Sequence, residues 1–248
     1  MPFWPAKDKA QKRWIEDPGS LGFGYWISLT RRRSMSMRVE GGQVSVGAPL
    51  RTSLKSIREW VESKQVWVRD KMAEQSLQLA EVPSRRYCEG ESWPYLGEER
   101  VLRLALGPRA NVYGDEKHIT LVLSRRSKKT QEEQAAELMS LWYRQQAQGY
   151  LEQQCAFYAE QLGVTVMEVK LRLTRSKWGH CTPQGVLQFN WLIMQAPKSV
   201  VDYLVAHEVS HRVHLNHSAS FWRVVESICP NYRSAERWLK GNGHKLVF

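Results

Sequence analysis

Residues 205–217 read V-A-H-E-V-S-H-R-V-H-L-N-H, and no other stretch limits the possible folds as tightly. They contain H-E-x-x-H, the pattern of a metal-holding helix. Residues four apart share a helix face, so His207 and His211 can reach one ion. Glu208, the next residue round, can touch a metal-bound water without being a ligand, the place a general base must occupy. Pro197 suits the helix start, and Val200, Val201, Leu204, Val205, Val209 and Val213 carry the spacing of a buried helix. Burial of His207, Glu208 and His211 demands partners for their polar atoms, and a metal supplies one. The competing reading, an exposed helix that is merely rich in His, fits those apolar positions poorly.

A catalytic zinc takes three protein ligands and keeps one position open. His214 and His217 both follow His211. An unbroken helix puts His214 on the stripe of His207 and His211, but its Cα would lie about 10 Å along the axis from that of His207, which makes convergence awkward. His217 has the six-residue offset of the third ligand in longer H-E-x-x-H motifs, and Asn216 can adopt a left-handed conformation that turns the chain back. This favours His217. Ser218 should then cap a helix through Phe221, Trp222, Val225 and Ile228, ended by Pro230.

The 248 residues suffice for one large domain or two small ones. A net charge of +11 favours a polyanionic partner such as nucleic acid, although a solvated basic face explains it equally well. Cys88, Cys155, Cys181 and Cys229 are widely spaced and form no C-x-x-C, which argues against a disulfide framework and for a reducing compartment. No apolar run is long enough to span a membrane, and the N-terminus lacks a signal-peptide core. The expectation is a soluble, cytoplasmic protein.

In chain order, residues 1–24 read as a polar arm with Pro2, Pro5 and Pro18. Alternation predicts strands around Tyr25, Ile27 and Leu29, then Met35, Met37 and Val39, with a hairpin turn at Gly41-Gly42 into Val44-Ser45-Val46. Arg31-Arg32-Arg33 lies between them, either a phosphate contact or a charged strand edge. Residues 53–79 read as one helix and residues 85–123 as further strands, turning at Leu96-Gly97-Glu98. Residues 25–123 are thus expected to form a β-rich subdomain with one helix. Basic residues 124–130 are expected to be a linker to a hydrolase domain at 131–248. That domain opens with a helix to Gly163, followed by strands around Val169 and at 186–191, the H-E-x-x-H helix, a third His and a last helix. The fold class is α+β. The order from residue 131 resembles the zincin-like fold, in which an edge strand beside the active-site helix pairs with extended substrate, and residues 186–191 are the expected edge strand.

Several segments carry a closer family resemblance. Arg175-Ser176-Lys177-Trp178-Gly179-His180-Cys181 is similar to the S-R-W-G-S-C segment of YgjP-like metallopeptidase domains. Gly185, Asn190 and Ala196-Pro197 match too, as do Asp202-Tyr203-Leu204-Val205-Ala206-His207-Glu208 and Asn216-His217-Ser218 with Phe221-Trp222. Residues 32–49, 60–71 and 90–97 resemble the N-terminal half of that family. The resemblance spans about residues 25–240. It implies a zinc-dependent hydrolase with a zincin core, distantly similar to SprT-like proteases that act on DNA-bound proteins, with His217 rather than His214 as third ligand. Lys177 stands where the family usually has Arg, and His180 where it usually has Ser.

The resulting expectation is a Zn2+ metallopeptidase with metal ligands His207, His211 and His217, catalytic Glu208, and a protein or peptide substrate. Tyr203, Lys177, His180 and Tyr232 are candidates to stabilise the oxyanion, and Asp202, Glu226 or Glu236 to orient the imidazoles. One alternative keeps the metal site but hydrolyses a non-peptide such as a nucleotide phosphate, for which no phosphate-cradling Gly-rich motif is present. Another is a nucleic-acid-associated protein with a structural zinc, which would have no use for Glu208.

Overall fold

The computed structural model describes residues 11–15, 21–174 and 177–248. Most of the expected N-terminal arm, with its three prolines, lies outside the described residues, as do Arg175 and Ser176. The described residues divide into two compact units, one ending at Glu81 and one running from Val82 to Phe248. Among the described residues, three small sheets and six α-helices make a mixed α+β architecture.

The first unit holds β1 (Gln11–Ile15), β2 (Tyr25–Thr30), β3 (Ser36–Glu40) and β4 (Gln43–Pro49). Their order is β1-β2-β4-β3, with β2 and β4 parallel and the other pairs antiparallel. The sheet therefore begins inside the stretch that reads as an arm. Gly41 and Gly42, at φ 56° and 73°, make the expected hairpin turn between β3 and β4, a backbone that suits glycine. Tyr25, Ile27, Val44, Val46 and Ala48 point to one face, as period-two alternation requires, and pack on α1 (Leu54–Glu62) and α2 (Gln65–Ala80) through Ile57, Val61 and Val68. The sequence read these helices as one. They break at Ser63, whose hydroxyl donates to the Trp60 carbonyl at 2.7 Å and competes with the helical ladder.

The second unit contains β5 (Ser92–Tyr95), β6 (Glu98–Gly107), β7 (Asn111–Gly114) and β8 (His118–Ser124), ordered β5-β6-β8-β7. The turn between β5 and β6 falls at Leu96-Gly97, both at positive φ, as expected. Next comes α3 (Gln131–Leu162), about 48 Å long at 1.5 Å per residue. Thr130 and Glu133 close a capping box at its start, and left-handed Gly163 ends it. Then follow β9 (Glu168–Arg172), β10 (Gly179–Cys181), β11 (Val186–Asn190), α4 (Lys198–Ser210), α5 (Ala219–Ile228) and α6 (Tyr232–Asn242).

A single buried cluster runs through this unit, taking Trp93, Leu102 and Ile119 from the β5–β8 sheet, Met139 and Trp142 from α3, and Val205 from α4. The β5–β8 strands thus share a core with the H-E-x-x-H helix. The compact units meet at 81/82, whereas charge pattern pointed to 124–130, because the basic 124–130 stretch only turns the chain from β8 into α3 above a common core. No described helix is long and apolar enough to cross a membrane, and the four cysteines are free.

Thr130→Ala removes one half of the capping box of the helix on which both halves of this core rest. It is expected to lower stability by about 1 kcal/mol in chemical denaturation, with an unchanged slope.

Candidate metal centre

α4 is buried along most of its length, with only Lys198, Ser199, Asp202 and His207 less than buried. The helix ends at Ser210, and its last turn is tightened by back-bonds. The Ser210 hydroxyl donates to the Ala206 carbonyl at 2.7 Å, and the Val213 and His214 amides both donate to the Ser210 carbonyl. Arg212 ties this turn to the rest of the unit by donating to the Thr165 and Pro183 carbonyls at 3.1 and 3.0 Å.

The chain returns without a left-handed residue. Only Tyr87 and Leu96 among described non-glycine residues have positive φ, so Asn216 does not turn as the sequence suggested. Instead, its side-chain oxygen accepts from the Ser218 amide at 3.3 Å, an Asx-type turn. Ser218 then caps α5 as expected, accepting from the Phe221 amide at 3.4 Å.

This turn brings His217 back over the helix. The ring nitrogens of His207, His211 and His217 lie within 4.8 Å of one another. The facing Nε2 atoms of His207 and His217 are 3.0 Å apart. Two nitrogens on a tetrahedral zinc would be about 3.3 Å apart, given Zn–N bonds of about 2.0–2.1 Å. Burial, then the neighbouring histidines, depress the basicity of His207 to about 3, and burial lowers that of His211 also. Both therefore stay neutral, the form in which imidazole binds a metal. The donor set thus fits a metal ion.

His214 does not join them. Its contribution is its backbone carbonyl, 3.0 Å from His211 Nδ1, which orients that ring and leaves Nε2 for the cluster. The carboxylates offered for this task act elsewhere. Asp202 accepts from the Tyr150 hydroxyl at 2.5 Å and from Lys198 at 2.8 Å, and Glu226 faces Arg233 at 3.8 Å. Glu236 acts electrostatically on Tyr203. His207 Nδ1 is buried and has no hydrogen-bond partner among the described residues.

Glu208 is 4% exposed. Its carboxyl lies so close to Gly179 of β10 that a Cβ there would overlap it. Glycine is required by this approach alone, a reason the sequence could not show. Burial pushes the Glu208 carboxyl up to about 8, and the nearby Lys177 charge pulls it the other way. Buried Asn190 holds the segment leading to β10. Its amide side chain donates to the Thr174 carbonyl at 2.9 Å, its backbone amide to the Trp178 carbonyl at 2.8 Å, and its side-chain oxygen accepts from Leu192.

The sheet order β10-β11-β9 overturns the expected edge strand. Residues 186–190 form the central strand, paired on both sides, and β10 is the edge strand beside Glu208. The reason is the pairing of β9 with β11, a parallel register that alternation within one segment cannot reveal. On the other side of the cluster, Phe221 stacks on His211 at 4.5 Å, while Trp222 stands 5.7 Å from His207 and stacks on Tyr232 at 5.2 Å. Tyr203 and Tyr232 are buried in this aromatic stack, and Lys177 and His180 are exposed.

The model of the YgjP-like metallopeptidase domain matches residues 33–242, and the chain belongs to that family. No match was found among curated proteins. Among solved structures, the metallopeptidase zymogen abylysin of Pyrococcus abyssi is 20% identical over 39% of this chain and 99% of that one, with a TM-score of 0.35, too slight a likeness to carry an argument.

Gly179→Ala is expected to drive β10 and the Glu208 carboxyl apart, at a cost of about 1–3 kcal/mol in thermal or chemical denaturation. An unchanged midpoint would show that the two are not packed as described.

Proposed function

We propose that the chain is a zinc-dependent metallopeptidase with a zincin-like core, in which His207, His211 and His217 hold the metal and Glu208 is the general base. The observation that carries this reading is the convergence of three imidazoles, two of them kept neutral by burial, beside one buried carboxyl. Three imidazole nitrogens suit zinc, which in a catalytic site takes three protein ligands and keeps a fourth position open. A zinc ion bound there supplies a water of lowered pKa and a Lewis acid for the scissile carbonyl.

The side chains do the rest. The His214 carbonyl fixes the ring of His211, and the α4 backbone fixes its spacing from His207. Glu208, pressed against Gly179, takes the proton of the attacking water and passes it to the leaving amine. Its buried position favours the protonated state that this second transfer needs. Lys177 and His180, exposed on the β10 side, are the remaining candidates to face the developing oxyanion. An extended peptide would add to the edge of β10 that no described strand pairs, so that its carbonyls run past Glu208, and this makes a protein or peptide the substrate.

Glu208→Gln should keep one zinc per chain by elemental analysis while peptide hydrolysis falls by about 10²–10⁴-fold. Loss of metal in that variant, or full activity, would reject Glu208 as the base.

His217→Ala should lose zinc in a competition titration. His214→Ala should bind nearly as the parent does, since only the backbone carbonyl of that residue is used. The reverse ranking would make His214 the third ligand.

A further inference from the structure

The face of the first sheet turned away from α1 and α2 carries an ordered row of side chains. Trp14 on β1 is directly opposite Trp26 on β2, Trp26 opposite Ser45 on β4, and Ser45 opposite Arg38 on β3. All four alternate with residues of the buried face, so they share the other one. The row crosses four strands and is about 14 Å long. The two indole rings touch, with centroids 5.1 Å apart, yet Trp14 and Trp26 remain 45% and 40% exposed. Gly24 makes room for this arrangement, since a Cβ there would overlap the Trp14 ring.

In the next row, which Lys12 of β1 heads, Ser28, Gly47 and Ser36 on the other three strands are small and leave that part of the face flat. The Arg32 guanidinium lies over Gly47, where a Cβ would displace it. Its Nε is buried and has no hydrogen-bond partner among the described residues. Among the described strand residues, the one carboxylate on this face, Glu40, is at the end of β3 beside the turn.

We infer that this sheet face binds single-stranded RNA, with bases stacked on Trp14 and Trp26 and phosphates held by Arg38 and Arg32. The chemistry is that of sequence-tolerant single-strand binding, in which flat aromatic rings take the bases and neighbouring cations track the backbone. The charge is complementary, since both arginines on the face and the chain's net charge of +11 oppose a polyanion. Two exposed indoles side by side on an open face offer a stacking area that a duplex, whose bases are already paired and stacked, cannot use. The serine hydroxyls bordering the indoles offer partners for a ribose 2′-hydroxyl, and this commits the surface to RNA rather than DNA. The inference does not depend on the peptidase reading, and binding is measured without any turnover.

The test is fluorescence anisotropy of the full chain with a short labelled oligouridylate at low and moderate salt. The matched oligothymidylate and a double-stranded RNA serve as comparisons. Binding should be tightest for the single-stranded RNA and should weaken steeply with salt. Trp26→Ala should weaken it about tenfold, the scale of one lost base stack. Arg38→Glu, a change at an exposed side chain, should weaken it as well and flatten the salt dependence, which keeps the surface testable if Trp26→Ala does not fold. No binding of the oligouridylate at low salt, or equal affinity in folded Trp26→Ala and Arg38→Glu, overturns the inference. Tighter binding of the oligothymidylate overturns the assignment to RNA.

Discussion

The structure depends on one costly arrangement, a helix buried on nearly every side that carries imidazole and carboxyl groups into the core. Val200, Val201, Leu204, Val205 and Val209 bury α4, and the same burial takes Glu208 and most of His207 out of water. Buried polar groups must be compensated. The neighbouring elements can be understood as answers to that demand. α3 supplies a long apolar support, α5 lays Phe221 and Trp222 against the imidazoles, and β10 gives up a side chain at Gly179 so that the carboxyl fits.

Where α4 stops matters as much as where it runs. A helix continued past His211 would carry the following residues away along its axis at about 1.5 Å per residue. Ser210 prevents this twice, by bonding its hydroxyl back to Ala206 and by drawing two later amides onto its carbonyl. Arg212 then fastens the turn to the carbonyls at Thr165 and Pro183, so the stop is fixed by contacts distant in sequence. The histidine triangle is therefore held by backbone geometry and an arginine brace, and no carboxylate of the described residues bonds the Nδ1 of His207 or His211.

What could be read in the sequence was local. The i, i+4 histidines, the Ser218 cap, the Gly41-Gly42 hairpin and the strand alternations each need only a few neighbouring residues. What could not be read was set by pairing across the chain. Residues 186–190 alternate as any half-buried strand does, and nothing within them shows that β9 and β10 take both their edges. Asn216 has the chemistry for a left-handed turn and for an Asx turn, and the surrounding chain selects the second. Ser63 breaks a helix whose apolar spacing continues past it. Trp14 and Trp26 are far apart in sequence and become neighbours only through the β1–β2 register.

The electrostatics of Glu208 join these strands of argument. Burial raises the cost of its ionised form, and the helix geometry that makes it a candidate base is the cause of that burial. Positive charge close by lowers the cost again. Lys177 supplies some, but it is exposed, so water screens its effect. The three imidazoles supply none while they are neutral, and the burial that lowers the basicity of His207 and His211 keeps those two so. A dication, if held by the cluster as proposed, would be the stronger compensation, since it would bring two charges near the carboxyl. The same desolvation thus makes the histidines better ligands and the glutamate more dependent on what they bind. Metal affinity and the protonation of Glu208 are two readings of one buried helix face.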